Sequence, residues 1–426
     1  METRTPSPWR GWTVVLAALS INLILGVLYA WGVMGKALVV QENWTKAQAS
    51  LPFTVSTVAF AVTMIFAGRW QDRIGPRLIA MLGGVILGAG LALSSFARTA
   101  DVMLITYGII GGIGIGLGYS ATTPPSIKWF PPARKGLITG MVVSGVGLAA
   151  VYMSPLTARL IRMTSIPQTF VILGLGTIVL VTLLAQFLAN PPHGYVPAAA
   201  NVRGAAAKAP AGCRTELDWQ EMLRTSQFYR LWLMFVLSAS AGLMLIMHVS
   251  IIAKEQAHVD AWGFWLIAIL ALCNTAGRLL SGFLSDRIGR ARTMVLAFLL
   301  QAMNMLSFSH YTTPALLIFG SAFTGLCYGT IFTLFPATTA DFYGVRNLGV
   351  NYGLMFTAFG VAGVTGPYVA GQIRDFLGTY THAYTLSALM LVVGTGLALT
   401  LKPPRVLAAD APQQREKETV SELAVR

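Results

Sequence analysis

Charge is what this sequence has least of. Of its 426 residues only 11% are Asp, Glu, Lys or Arg, against about 25% in an ordinary soluble domain, and 55% are hydrophobic, against roughly 45–50%. With a mean hydropathy of +0.65, that balance excludes a soluble globular protein. Cysteine is almost absent: Cys273 and Cys327 fall in apolar stretches and Cys213 in a polar one, so no disulfide pair suggests itself. HExxH, metal-ligand spacings and a Ser/His/Asp cluster are all missing, which speaks against an enzyme, and no cofactor is implied. Gly116-x-Gly118-x-x-Ala121 fits a dinucleotide fingerprint formally. It lies inside an apolar stretch, follows no strand and has no acidic residue about 20 positions on. The glycines from Gly108 to Gly118 instead let helices pack closely and bend. The N-terminus lacks the short apolar core and small-residue cleavage site of a signal peptide, so it is expected to be retained. No polar stretch is long enough for a sizeable signalling domain, which leaves a membrane sensor as a weak alternative.

What is present is a series of long apolar runs. Each crossing needs on the order of 20 apolar residues, and hydropathy places twelve, near 12–38, 49–68, 78–97, 102–127, 136–160, 166–188, 228–252, 262–284, 293–309, 314–335, 348–372 and 381–401. The expected fold is therefore an all-α polytopic membrane protein of twelve transmembrane helices in two pseudo-symmetric six-helix bundles. Its expected units are 1–189, a linker over 190–226, a second half over 227–402 and a tail over 403–426. The linker opens Asn190-Pro191-Pro192-His193-Gly194-Tyr195, passes through an Ala/Pro-rich segment and ends in Thr215–Leu223, which can form a short surface helix.

The net charge of +14 is a topology signal. About 22 Lys and Arg fall on the side of the termini, about 7 on the other, and Arg278 alone falls inside a span. Both termini are thereby expected in the cytoplasm and the chain in the plasma membrane. A nucleic-acid partner is not implied, and no obligate protein partner is inferred.

Internal repetition shows how the spans are grouped. Asp72-Arg73-Ile74-Gly75-Pro76-Arg77 after span two recurs as Asp286-Arg287-Ile288-Gly289-Arg290-Ala291-Arg292 after span eight, 214 residues later. Gly116-Leu117-Gly118-Tyr119 matches Gly325-Leu326-Cys327-Tyr328, and Pro155 matches Pro367, at offsets of 209 and 212. Each match joins a span to the one six further on. A duplicated six-helix unit puts a transport site between the halves.

Arg278 is the most informative residue. A mid-membrane arginine costs at least about 2.5–3.5 kcal/mol on insertion scales and marks function. The repeat maps Arg278 onto Met64 and Asn274 onto Phe60, so the fold itself does not demand polarity there. Asn274 and Arg278 stand four apart on one helix face. The guanidinium fork suits a carboxylate, and the amide offers a further donor. Tyr119 and Tyr328 occupy equivalent repeat positions near mid-membrane and can offer hydroxyls, while Leu28, Tyr29, Phe332, Phe356 and Phe359 can exclude water.

The paired Asp-Arg-x-Gly-x-Arg turns resemble the loop signature of the major facilitator superfamily. That resemblance implies a conformational latch for Asp72, Arg73, Asp286 and Arg287. Leu28-Tyr29-Ala30-Trp31-Gly32-Val33, Lys128-Trp129-Phe130-Pro131, Arg134–Gly140, the Pro-Pro-His-Gly-Tyr linker and Asn347–Gly353 resemble, over nearly the whole chain, its oxalate/formate antiporter branch and the monocarboxylate transporters, bacterial lactate-type carriers especially. The resemblance implies transport of small monocarboxylate anions such as lactate or pyruvate, often with a proton.

Two departures qualify it. Dicarboxylate exchangers of the branch carry a lysine in span eleven, which residues 348–372 lack, so a monoanion is favoured. Mammalian relatives place an aspartate one turn before the arginine, where this chain has Asn274, so the proton acceptor must lie elsewhere. His248, Glu255, Asp260 and Lys36 are the remaining proton-coupling candidates. An oxalate/formate-type anion exchanger is the alternative function.

Overall fold

The computed structural model describes residues 9–192, 195, 216–257 and 263–404. Among them the regular elements are all helical. Twelve helices are long and apolar enough to cross a membrane: α1 (Trp9–Gln41), α2 (Gln48–Ile74), α3 (Pro76–Ser94), α4 (Ala100–Lys128), α5 (Pro132–Met163), α6 (Ile166–Ala185), α7 (Ser226–Ile246), α8 (Trp265–Ile288), α9 (Arg290–His310), α10 (Pro314–Tyr343), α11 (Leu348–Leu377) and α12 (Thr381–Leu399). They are apolar on nearly every side. Phe66, Leu183, Leu280, Leu306 and Phe319 stay exposed on their outer faces, as lipid-facing positions require.

Two differences from the hydropathy reading have a physical cause. Charged residues truncate an apolar window but not a helix, so α2 continues through Asp72 and Arg73, and α10 runs eight residues past 335 to Tyr343. Conversely, the run 228–252 is two helices. The first ends at Ile246, Met247 and His248 form a turn, and a separate helix covers Val249–Ala257.

Several helices are locally rewound where glycine or close packing intervenes. Gly26–Ala30 forms a 3₁₀ segment within α1, whose Leu28 carbonyl accepts a hydrogen bond from Tyr107 Oη at 3.3 Å. Leu104–Gly111 in α4 is a π-helix, and the helix then breaks at Ala121 and Thr122 before Thr123–Lys128. The α4 glycines do bring backbones together: a Cβ at Gly112 would meet the Ser56 carbonyl of α2, and one at Gly114 the Leu87 backbone of α3.

The halves meet along α2 against α11 and α5 against α8. Both contacts are made by glycine on backbone. Gly68 and Gly349 oppose one another so closely that a Cβ on either would strike the other's carbonyl. Gly140 lies on the Arg278 carbonyl, and Gly353 lies on that of Met64, the repeat equivalent of Arg278. In a membrane, where apolar association has no water to expel, such close packing is what holds helices together.

The linker's end docks on the second half. Trp219–Leu223 is a short helix with a capping box between Asp218 and Glu221. Just before it, the Leu217 N–H donates to the Tyr343 carbonyl at 3.1 Å, and Asn351 Nδ2 donates to the Leu217 carbonyl at 3.1 Å. Cys213 lies outside the described residues.

Gly349→Val should wedge α11 from α2. Spin labels at the exposed Arg73 and Arg346 positions are expected to show a longer distance distribution than in the unsubstituted protein.

Candidate functional site

Arg278, in the middle of α8, is 1% exposed. Its Nε donates to Asn274 Oδ1 at 3.1 Å, and its Nη1 donates to the Val143 carbonyl of α5 at 2.5 Å. The guanidinium carbon sits 4.4 Å from the centre of the Phe332 ring. Two of its five N–H groups are thereby engaged, leaving donors on Nη1 and Nη2. Among the described residues no carboxylate forms an ion pair with it. A buried, oriented cation without a side-chain counter-charge is a candidate anion site.

Asn274 holds this cation rather than offering a free carbonyl. Because its Oδ1 must face the Nε donor, the amide fixes the plane of the fork from one turn away.

The expected aromatics form one continuous cluster that meets the arginine at Phe332. Successive ring centres lie 5.4 Å apart for Tyr328 and Phe332, 5.3 Å for Phe332 and Phe359, 5.2 Å for Phe359 and Phe356, and 5.6 Å for Phe356 and Tyr119. These are edge and tilted contacts of the kind aromatic quadrupoles prefer. Leu28 and Tyr29 are half-buried in the 3₁₀ segment of α1.

Three members were not assigned from sequence. Phe60 packs on Tyr119 at 5.4 Å and on Phe356 at 4.9 Å, Phe235 of α7 packs on Phe356 at 6.1 Å, and Tyr352 of α11 packs on Phe356 at 5.7 Å. The repeat contained a signal for the first, because Phe60 is the counterpart of Asn274. Val143 contributes a backbone carbonyl, which side-chain chemistry cannot announce.

The described proton-coupling candidates have partners other than Arg278 or are exposed. His248 bridges three elements: Nε2 is 3.1 Å from the Pro367 carbonyl of α11, and Nδ1 is 3.1 Å from Tyr380 Oη, just before α12. Glu255 pairs with Arg374 at 2.7 Å. Lys36 is exposed. Asp260 lies outside the described residues.

The two repeated turns, the candidate latch, make contacts of a specific chemistry. Neither α5 nor α11 caps its own N-terminus with a side chain. Each is capped from the opposite half. Asp286 accepts from the Gly136 and Leu137 N–H groups at 2.9 and 2.8 Å, and Asp72 accepts from the Val350 N–H at 3.1 Å. Local cations steady both carboxylates: Arg290 lies 2.7 Å from Asp286, and Lys128 lies 3.4 Å from Asp72. A further pair crosses the halves, Lys135 with Asp341 at 3.2 Å, while Arg290 Nε also reaches Asp341 at 2.9 Å. Arg73 is exposed, and Arg287, also exposed, lies 4.0 Å over the Phe283 ring. Of the four charged residues Asp72, Arg73, Asp286 and Arg287, it is the aspartates that bond to the opposite half.

Removing Asp286 should therefore matter more than removing Arg287. Charge-assisted hydrogen bonds contribute about 1.5–3 kcal/mol each. Asp286→Ala is expected to open the termini face, seen as faster alkylation of a cysteine placed at Ser285, whereas Arg287→Ala is expected to leave that rate within about two-fold.

Comparison with known proteins agrees with this architecture. The family model described as Major Facilitator Superfamily matches residues 11–303 and 263–425. The oxalate:formate antiporter of Oxalobacter formigenes is 27% identical over 92% of this chain and 92% of its own. Monocarboxylate transporter 13 of Bos taurus is 23% identical over 97% and 93%. A probable sulfoacetate transporter of Cupriavidus necator is 25% identical over 88% and 89%. Among solved structures, the human organic anion transporter MFSD10 superposes with a TM-score of 0.69 at 16% identity, covering 92% of this chain and 100% of its own. Twelve spans in two pseudo-symmetric halves, the repeated turns and this match over most of the sequence lead to one conclusion: the chain is a multi-pass membrane transporter of the Major Facilitator Superfamily.

Proposed function

We propose that the protein carries small monocarboxylate anions of the lactate and pyruvate type across the plasma membrane by alternating access, in symport with a proton, with its termini in the cytoplasm. The observation that carries this reading is the buried guanidinium of Arg278, which has two fixed hydrogen bonds, free donors on Nη1 and Nη2, and no carboxylate partner among the described residues. One uncompensated positive charge is neutralised by one carboxylate. The apolar, aromatic surroundings suit a short carbon chain and exclude water.

The cycle follows from where the charges sit. With the termini face latched by Asp72 and Asp286, the substrate reaches Arg278 from the opposite face. Binding cancels the buried charge and lowers the penalty of closing low-dielectric walls around it. The halves then close on the opposite face, and the capped ends of α5 and α11 part from their aspartates. Substrate leaves toward the termini.

Proton coupling is assigned to His248. In its neutral form Nε2–H donates to the Pro367 carbonyl and Nδ1 accepts from the Tyr380 hydroxyl. Protonation makes Nδ1 a donor and forces that hydroxyl to turn. The switch joins the end of α7 to α11 and α12, all in the half that carries Arg278. Glu255 is the weaker candidate, because it is already paired with Arg374 at 2.7 Å.

Labelled L-lactate uptake into proteoliposomes tests the reading. An inward proton gradient should drive uptake, and Arg278→Lys, which keeps the charge but loses the fork, should reduce it at least about ten-fold. Full activity in Arg278→Lys would remove forked recognition. Uptake only against an internal anion would replace symport by exchange. His248→Gln should abolish stimulation by the gradient while leaving lactate counterflow intact; unchanged gradient dependence would place the acceptor elsewhere.

A further inference from the structure

Two arginines of α2 take part neither in the candidate transport site nor in the contacts between the halves. On this helix Val58, Val62, Phe66, Trp70 and Ile74 are all exposed and form the arc it turns to lipid. At about 100° per residue, Arg69 and Arg73 fall within that arc, and both are exposed. They stand at the termini end of the helix, beside an indole of the kind that marks the boundary between hydrocarbon and headgroups. One turn separates them, and like charges so placed repel. Neither forms an ion pair or a hydrogen bond among the described residues. The adjacent carboxylate is committed elsewhere, since Asp72 pairs with Lys128 and accepts from the Val350 N–H of α11. Beyond the turn at Gly75, Arg77 is bonded to Gln186.

The second half shows the same helix end with its cation satisfied. The 214-residue offset maps Arg73 onto Arg287 and Arg69 onto Phe283. There the guanidinium of Arg287 lies 4.0 Å over the Phe283 ring. An aromatic partner in one half is thus replaced by a second cation in the other. A fold that accepts phenylalanine at this place does not require arginine, so the charge pair points to a partner outside the chain. We infer that Arg69 and Arg73 bind the headgroup phosphate of an anionic phospholipid in the leaflet on the termini side. Residues four apart on a helix have Cβ atoms about 5–6 Å apart. A phosphodiester carries two non-bridging oxygens, and each guanidinium donates to one of them. The acyl chains then run along Phe66, Val62 and Val58, while the arginine stems cover apolar surface. Dissolved phosphate matches the charge but gains nothing from that apolar arc, and so the occupant is a lipid. The inner face of the same turns carries Gly68 and Asp72 against α11, which places the lipid behind the contact between the halves.

Titration of the purified protein in detergent with phosphatidylglycerol or phosphatidylcholine tests the site, with bound lipid counted by native mass spectrometry and the thermal midpoint followed in parallel. The wild type is expected to hold one phosphatidylglycerol at least about ten-fold more tightly than phosphatidylcholine, as charge-assisted bonds to phosphate allow. Arg69→Phe and Arg73→Gln should each weaken that binding about ten-fold. Arg292→Gln, which removes an exposed charge from the corresponding end of the second half, should change it less than about two-fold. Without lipid, Arg69→Phe should keep or raise the thermal midpoint, because it removes a repulsion and gives Arg73 the ring that Arg287 has. Equal affinity for the two lipids, binding undiminished in both variants, or an equal loss in Arg292→Gln, the mark of bulk attraction to a basic protein, would overturn the inference. Inorganic phosphate raising the midpoint as far as phosphatidylglycerol does would overturn it too, in favour of a site for a dissolved anion.

Discussion

The structure is organised around a positive charge placed where no water can reach it. Arg278 is oriented by Asn274 and by a backbone carbonyl of α5, but no acidic side chain among the described residues neutralises it. A soluble protein would avoid this arrangement, because an unpaired buried ion is strongly destabilising. A transporter has a use for it. In the function proposed here a carboxylate anion offsets the charge, so its binding alters the stability of conformations that differ in how far they enclose it.

In that reading the conformations differ at helix ends. Side chains cap α6, α7 and α10 from within their own segments, through Ser165, Thr225 and Thr313. The helices α5 and α11 instead depend on aspartates from the other half. Closing the termini face therefore completes two helices, and opening it leaves their N–H groups to solvent. The glycine contacts of Gly68 with Gly349 and of Gly140 with Arg278 add packing to the same closed state. Since Gly140 rests on the Arg278 backbone and Val143 of the same helix holds its guanidinium, any tilt of α5 is felt at the binding group.

Much of this was legible in the sequence. Scarce charge and repeated apolar runs give a polytopic helical protein, and near-constant offsets give its halves. A lone arginine inside a span, unmatched in its repeat, points to the candidate site. What escaped was information not carried by a residue's own type. The Val143 carbonyl is invisible because every residue has one. Tyr352 stands in the segment Asn347–Gly353, yet nothing in its spacing says that its hydroxyl meets that of Tyr119 from a helix more than 200 positions away. Asp72 and Arg73 look equivalent in a charged turn, and only the approach of α11 separates the capping aspartate from the exposed arginine. The end of α7 was misplaced because apolar residues continue past a turn that His248 stabilises.

The most direct measurement compares L-lactate with lactamide as stabilisers of the purified protein. The two have nearly the same shape, and only lactate carries a charge. If the unpaired guanidinium is the anion site, lactate raises the thermal midpoint of the wild type in a concentration-dependent way, lactamide does not, and Arg278→Gln loses the response to lactate. Equal stabilisation by both, or a lactate response that persists in Arg278→Gln, would contradict the account at its centre.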